Sequence, residues 1–353
     1  MKKGNSATSR ENFNTLAQSG TADFGGATHL PEKIVYGEGS EIGDKTVWKG
    51  RAKRKTISQV FNLGLIVSVE KKGEPERKQA YWNAYHCQNR LVSYEGRIYG
   101  KYCKSRSCTL CCSIRIAEII NRYLPVIKAW EDPFFVTLTV RAVPARKLGL
   151  WFKGFKIAFK RICEKYKKRN QRGTGPKLVG IKSLECNFNP KEKTYNPHLH
   201  LIVPNEAIAD VLIMEWLKIW TKKEALRIGQ HKERVRDVEK NLVEVIKYGA
   251  KVFTDPDIKQ KGMYPPIIYT AATDTILKAM KPYRIFERFG FNLPQSKKEG
   301  KVKVVPELQC QDLVFAIEVF DWVNAKTGER VTGYTPTAQL YGLLHENIDT
   351  DLQ

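Results

Sequence analysis

The centre of the chain alternates between two periodicities of apolar residues. Between residues 148 and 170, apolar side chains recur at intervals of three or four, which places one apolar stripe along a helix. The same interval is present at 114–130, 205–226 and 239–253. We therefore predict an amphipathic helix at each of these four places.

Short segments rich in β-branched and apolar residues lie between the predicted helices. They read "PFFVTLTV" (133–140), "LVGIKSLECNF" (178–188), "HLHLIV" (198–203) and "RVRDV" (234–238). The turn-rich sequence "NPKEKTYNP" separates the second and third segments, as in a β-hairpin. Strands separated by helices, with a hairpin in the middle, predict an α+β fold: an antiparallel sheet with helices packed on one face, over residues 129–255.

The two ends of the chain have a different character. Residues 1–75 are rich in Gly, Ser, Thr and Lys and include the basic segment "WKGRAKRKT", so we expect a flexible basic arm with at most one ordered strand, at "VFNLGLIVSV". Residues 256–353 contain several prolines and end in the acidic "HENIDTDLQ". We interpret them as a C-terminal extension for DNA binding or oligomerisation.

Cysteines are concentrated in the predicted unit 76–128, which ends in a helix. The pair Cys108 and Cys111 has the Cys-x2-Cys spacing that holds a tetrahedral Zn²⁺ from a tight turn, and Cys87 and Cys103 could complete the shell. Spacing does not decide between Cys111 and its neighbour Cys112, or between Cys87 and His86. Three further cysteines are interpreted as buried free thiols: Cys163, Cys186 and Cys310.

The charge balance indicates a polyanionic partner. Lys and Arg number 60 against 37 Asp and Glu, a net charge of +23, in a chain of 353 residues that is 42% hydrophobic. Thirteen Lys and Arg and one acid lie between residues 141 and 177. Either this run is a solvated helix face, or it follows phosphates through Lys167, Lys168 and Arg169. No apolar stretch predicts a signal peptide or a membrane span, so we expect a cytoplasmic protein.

Two of the six histidines lie in "YNPHLHLIVP". On a strand, His198 and His200 share a face, which suits two ligands of one divalent ion. Glu185, on the neighbouring predicted strand, could be a third ligand, and this donor set would suit Mg²⁺ or Mn²⁺. The alternatives are polar side chains on an exposed face and an ordinary cross-strand ion pair.

The segment "EVIKYGAK" carries a second group of reactive side chains. In a helix, Glu244, Tyr248 and Lys251 share one face. A tyrosine hydroxyl can attack a phosphodiester, a glutamate can activate a water, and a lysine can neutralise charge on the phosphate. The alternative is a surface helix whose tyrosine packs partly into the core.

Taken in order, "PFFVTLTV", "YNPHLHLIVP" and "EVIKYGAK" resemble the three motifs of HUH endonucleases, and more narrowly the Rep_1-type initiators of plasmid rolling-circle replication. The resemblance covers residues 81–293. It implies metal ligation by His198 and His200, nucleophilic attack by Tyr248 and a base role for Glu244. One departure is Gly249, directly after the tyrosine, because a glycine inside a helix destabilises it by roughly 0.5–1 kcal/mol.

The resemblance implies an enzyme that nicks one strand at a replication origin. The 5′ end would stay linked to Tyr248, the free 3′-OH would prime synthesis, and Glu244-assisted hydrolysis would end the cycle. The implied partners are DNA and a host helicase and polymerase. Conjugative relaxases are disfavoured because their tyrosine precedes the histidines; an HUH-type transposase and a non-catalytic zinc-dependent nucleic-acid-binding protein are the alternatives.

Overall fold

The computed structural model of the chain describes residues 32–36, 40–41, 45–247, 266–294, 302–338 and 340–341. The helices in these ranges are α1 (Lys45–Glu70), α2 (Pro75–Tyr85), α3 (Thr109–Lys128), α4 (Ala145–Gln171), α5 (Glu206–Ile219), α6 (Val238–Lys247) and α7 (Pro266–Met280). The strands up to the hairpin are β1 (Glu32–Tyr36), β2 (Ser40–Glu41), β3 (Arg90–Tyr94), β4 (Arg97–Tyr99), β5 (Phe134–Thr139), β6 (Val143–Pro144), β7 (Gly180–Asn189) and β8 (Thr194–Val203). The remaining strands are β9 (His231–Arg234), β10 (Phe286–Phe289), β11 (Val302–Pro306), β12 (Gln311–Ala316) and β13 (Asp321–Asn324).

An antiparallel six-stranded sheet organises the central part of the chain. Its order is β10-β7-β8-β5-β9, with β6 paired to β8 beside β5. The strands β7 and β8 form the predicted hairpin, in register from Ile181 opposite Ile202 to Asn189 opposite Thr194. The α+β class with an antiparallel sheet is therefore confirmed.

Helices cover both faces of this sheet, so the prediction of helices on one face is wrong. On one side, Leu199 and Leu201 of β8 pack in a core with α4, α5 and α7. On the other side, Ile202 packs with residues of α3 and α6, including Ile127 and Leu242. The physical reason is that β5, β7 and β8 each place a buried apolar residue on this second face, namely Phe135, Ile181 and Ile202, and a sheet buried on both faces requires two layers of helices.

The expected flexible arm is also wrong for residues 45–70, which form α1. The apolar segment interpreted as a strand lies inside this helix, where Phe61 and Leu65 pack with Tyr81 of α2. Helix α1 also packs closely on α7: a Cβ added to Gly64 would lie 2.8 Å from Cγ2 of Thr270. Tertiary packing on several sides stabilises α1, which lacks the single apolar stripe that identifies a surface helix.

The C-terminal residues do not form a separate extension over the described ranges. Strand β10 pairs with β7 in the central sheet. Strands β12 and β13 join β3, β4 and β2 in a five-stranded sheet, and β11 pairs with β1. Asp274 of α7 is buried and accepts hydrogen bonds from Lys72, Arg77 and Tyr81, which ties α7 to α2 and to the turn before it. In the described parts of the chain, no helix has the length and apolar character needed to cross a membrane.

Candidate metal centres

Two imidazoles and one carboxylate meet on adjacent strands of the central sheet. Glu185 of β7 lies opposite His198 of β8, and His200 shares their face because it is two positions further along the strand. Nε2 of His198 lies 3.3 Å from Oε2 of Glu185, and Nε2 of His200 lies 3.4 Å from the same oxygen. Glu185 and His198 are buried. The structure thus brings together the three residues that the sequence predicts as ligands of one ion.

Hydrogen bonds on the far side of both rings orient them. Nδ1 of His198 lies 3.0 Å from the backbone oxygen of Asn196; because a carbonyl only accepts, Nδ1 carries the proton and Nε2 keeps its lone pair. Nδ1 of His200 lies 3.0 Å from Oγ1 of Thr137, a hydroxyl that can accept in the same way. Burial lowers the pKa of His198, which favours the neutral ring that binds metal.

The separations between the three donor atoms fit a single metal ion. Donors about 2.1 Å from one ion, at angles of about 90–110°, lie roughly 3.0–3.4 Å apart, and the two measured separations are 3.3 Å and 3.4 Å. A carboxylate and two neutral imidazoles carry a net negative charge, which a buried divalent cation would balance. The group formed by Glu185, His198 and His200 could therefore hold a metal ion.

Helix α6 lies on the same face of the sheet as these ligands. Its buried residues Leu242, Val245 and Ile246 pack in one core with Ile202 of β8, which points to the same side as His200. Glu244 is half-buried in this helix. The predicted nucleophile Tyr248 and the predicted Lys251 lie outside the described residues; Tyr248 follows directly after α6.

Four cysteine sulfurs converge at the N-terminal end of α3: those of Cys87, Cys103, Cys108 and Cys111. Their Sγ atoms all lie within 4.8 Å of one another, and that of Cys111 is 3.7 Å from Cys87 and 3.6 Å from Cys103. Four thiolates bound tetrahedrally at about 2.3 Å from one zinc ion are about 3.8 Å apart. The backbone N–H groups of Cys103 and Lys104 donate to the sulfurs of Cys87 and Cys111. This cluster fits a tetrahedral metal ion.

Cys112 and His86, the two alternative ligands that the sequence spacing leaves open, make other contacts. The thiol of Cys112 donates to the backbone oxygen of Arg106, at 3.3 Å, and burial raises its pKa to about 12. The ring of His86 stacks on Trp82 with a centroid separation of 5.6 Å. Neither side chain belongs to the four-sulfur cluster.

Helix α1 brings a buried lysine to this cluster. Lys55 is 0% exposed, and its Nζ donates to the backbone oxygen of Tyr85 at 2.6 Å and to Oδ1 of Asn89 at 2.5 Å. These two acceptors flank Cys87 in sequence. Burial lowers the pKa of Lys55 to about 8, while the negative charge of the nearby cysteines, Cys87 first, opposes this shift.

A second buried cation lies one turn earlier in α1. The guanidinium of Arg51 donates twice to Oε1 of Gln88, at 3.1 Å and 2.8 Å, and once to the hydroxyl of Tyr102 at 2.8 Å. Both cations belong to "WKGRAKRKT", which sequence reasoning assigns to a solvated arm. Their i, i+4 spacing indicates a shared helix face only once the segment is recognised as a helix.

The predicted DNA contacts Lys167, Lys168 and Arg169 are exposed near the C-terminal end of α4. Arg169 is partly engaged there, because its guanidinium donates to the backbone oxygen of Thr174. Helix α4 packs on the sheet face opposite to the one that carries His198 and His200. These cations therefore do not line the candidate metal centre.

Comparison with known proteins relates the chain to replication proteins. The model of the Rep_1 family, described as "Replication protein", matches residues 97–305, which is more than half of the chain. "Protein rep" of Streptococcus pneumoniae is 28% identical over 120 residues, 30% of this chain and 34% of that protein. "Protein rep" of Staphylococcus aureus is 27% identical over 165 residues, 42% and 69% of the two chains.

A third "Protein rep", from a Bacillus species, is 26% identical over 131 residues, 34% of this chain and 41% of that protein. The chain thus spans about a third of the Streptococcus relative and less than half of the Bacillus relative. No solved structure matches it. The family match includes three of the four clustered cysteines (Cys103, Cys108 and Cys111), both histidines and α6. Because the match covers more than half of the chain, the chain belongs to the Rep_1 family of replication proteins.

Proposed function

We propose that this protein initiates rolling-circle replication of a plasmid by nicking one DNA strand at the origin. The observation that carries the proposal is the Glu185, His198 and His200 group, which lies on the sheet face covered by α6. Tyr248 follows directly after that helix. A metal-ligand group and a tyrosine close to it are the two parts that a tyrosine-dependent nickase requires.

In the proposed reaction the ligand group would hold Mg²⁺ or Mn²⁺. When bound, such an ion neutralises a phosphate and polarises its P–O bonds. The hydroxyl of Tyr248 attacks the phosphorus, a P–O bond to Tyr248 forms, and the bond to the 3′ oxygen breaks. The proton lost by the tyrosine is balanced by the proton gained at the 3′-OH, which then primes synthesis.

The closing step transfers the strand end from the tyrosine to water. We assign Glu244 as the general base, because it precedes Tyr248 by four residues in the sequence. We assign Lys251 to the charge that develops on the phosphate. The two assignments rest on sequence spacing and on the half-buried position of Glu244 in α6.

The remaining parts of the molecule support binding and positioning in this proposal. The four-cysteine cluster would hold a structural Zn²⁺ at the start of α3, whose other end packs on the face that carries the metal ligands. The exposed Lys167, Lys168 and Arg169 would contact phosphates away from the reacting bond. A host helicase would separate the strands at the nick, and a host polymerase would extend the 3′-OH.

The test uses single-stranded oligonucleotides that tile the replicon carrying this gene, incubated with the protein and Mn²⁺. We expect a covalent protein–DNA adduct with the wild type and with Tyr341→Phe, a control tyrosine that is 47% exposed. Tyr248→Phe should form no adduct while it still binds the same oligonucleotides. An unchanged adduct with Tyr248→Phe rules out Tyr248 as the nucleophile, and no adduct with any of these proteins supports a binding protein without this chemistry.

A further inference from the structure

The segment between α5 and β9 carries an exposed apolar tip. We define the 226–230 tip as residues Leu226 to Gln230. Ile228 is 93% exposed and Leu226 is 41% exposed. A single exposed apolar residue is ordinary on a protein surface. Whether this tip indicates a binding site therefore depends on how it is held and where it lies on the sheet.

The tip is fixed to the end of β5 by a buried amide. Gln230 is 6% exposed. Its Oε1 accepts from the backbone N–H of Thr139 at 2.9 Å, and its Nε2 donates to the backbone oxygens of Thr139 at 3.1 Å and Leu226 at 2.8 Å. Trp216 of α5 also donates to the oxygen of Thr139. These bonds hold the 226–230 tip on one strand of the central sheet.

That strand position lies directly beside a candidate metal ligand. Thr139 of β5 is opposite His198 of β8, so their side chains share the face of the metal centre. A Cβ added to Gly229 would lie 3.2 Å from Cγ2 of Thr139. The tip adjoins Thr139, and Thr139 adjoins His198, so the tip lies on the order of 10 Å from His198.

Basic residues surround the base of the tip. Arg227 is exposed beside Ile228, and Lys222 and Lys223 are exposed just before the tip. Arg141, also exposed, is tied to the same segment by a hydrogen bond from its backbone N–H to the oxygen of Glu224 at 2.8 Å. An apolar point within a cationic rim matches a nucleic acid strand, which offers phosphates outside and base faces inside.

We propose that the 226–230 tip binds the DNA strand next to the reacting phosphate, with Ile228 wedged against an unstacked base and Arg227 beside a phosphate. The inference rests on the proposed function, because it takes DNA as the occupant of the adjacent metal centre. Apolar side chains inserted at a base step unstack it and open the duplex locally. The tip would then help to expose the nicked strand where it is base-paired, as in a hairpin.

The contact is tested separately from the chemistry, in a Tyr248→Phe background that cannot form the adduct. The probe is an origin oligonucleotide with 2-aminopurine beside the nick position, or, if no nick is found, at each purine in turn of the oligonucleotide that binds most tightly. Binding should raise its fluorescence severalfold through unstacking, and Ile228→Ala should abolish the rise. Leu150→Ala, a 71% exposed position on the opposite sheet face, is the control and should retain it.

With Tyr248 present, Ile228→Ala should slow nicking of a hairpin roughly tenfold and leave nicking of an unpaired strand within about twofold. In the Tyr248→Phe background, equal fluorescence with Ile228 and with Ile228→Ala overturns the wedge, whether or not the wild-type protein nicks DNA. If the wild-type protein does not nick but the fluorescence difference is present, the proposed chemistry is overturned and the wedge is retained.

Discussion

The Nζ of Lys55 lies 2.5 Å from Oδ1 of Asn89, two residues after Cys87. Lys55 is fully buried, and among the described residues no carboxylate lies within ion-pairing distance of it. Four thiolates around one Zn²⁺ carry a net charge of about −2. The lysine and the neighbouring Arg51 thus supply positive charge where a metal-loaded cluster would bring negative charge.

Replacement of Lys55 by methionine should have opposite effects on the two metal states. Without metal, Lys55→Met removes a buried charge and should stabilise the protein; with zinc, it removes a counter-charge and should lower zinc affinity roughly tenfold or more. Thermal melting with and without chelator, and zinc competition with a chelating dye, measure both effects. Lys49→Met, at an exposed position of the same helix, is the control and should change neither quantity. If Lys55→Met lowers stability equally with and without zinc, Lys55 is not a counter-charge to the cluster.

Adjacent cysteines provide a matched pair for the zinc cluster. Cys111→Ser should remove zinc from the purified protein and unfold the region around α3, because three thiolates hold zinc far less well than four. Cys112→Ser should retain about one zinc per chain, since its thiol faces the backbone oxygen of Arg106. Metal analysis by mass spectrometry decides, and equal zinc content in the two variants contradicts the geometry.

Thr137 should control metal affinity through His200. Thr137→Val keeps the shape of the side chain but removes the oxygen 3.0 Å from Nδ1 of His200, and loss of such a partner lowers metal affinity about 10–100-fold. Nicking should then require more Mn²⁺ and recover at high Mn²⁺. Thr194→Val on β8 is the control, because the Oγ1 of Thr194 makes no hydrogen bond within the described chain; the same Mn²⁺ requirement in both variants argues against this role.

Glu244 should separate the first and last steps of the cycle. Glu244→Ala should form the covalent adduct at nearly the wild-type rate but hydrolyse it slowly, so that replication passes its end point and long multimers accumulate. Separate assays of initiation and termination on single-stranded substrates measure the two steps. If Glu244 is a surface ion-pair residue, both steps remain unchanged and stability falls by only a few tenths of a kcal/mol.

The basic end of α4 should affect DNA affinity more than chemistry. Neutralising Lys167, Lys168 and Arg169 together should flatten the dependence of log K on log salt, by about 0.7 on single strands for each phosphate that the variant no longer neutralises. The nicking rate at saturating DNA should stay unchanged, because α4 lies on the sheet face away from the histidines. An unchanged slope identifies this run as a solvated helix face.

The elements that the sequence predicts best are those whose pattern depends on near neighbours. The hairpin and the shared face of His198 and His200 follow from alternation along a strand, and β7 and β8 have that arrangement. Helix α1 is not predicted from the sequence because two of its cations, Arg51 and Lys55, are buried. Lys55 is interpreted as solvated until the cysteines near it in space are known. Likewise, spacing cannot separate Cys111 from Cys112, since only the direction of each side chain distinguishes them.

The pairing of β10 with β7 determines how far the chain can be shortened around the candidate metal centre. Strand β7 has ten residues, and β10 covers one edge of it, from Ser183 opposite Phe286 to Gly180 opposite Phe289. A fragment that stopped at residue 255 would expose this edge with unpaired N–H and C=O groups, an arrangement that promotes aggregation. A minimal fragment that keeps the proposed nicking site intact must therefore extend past Phe289, although all three motifs end well before it.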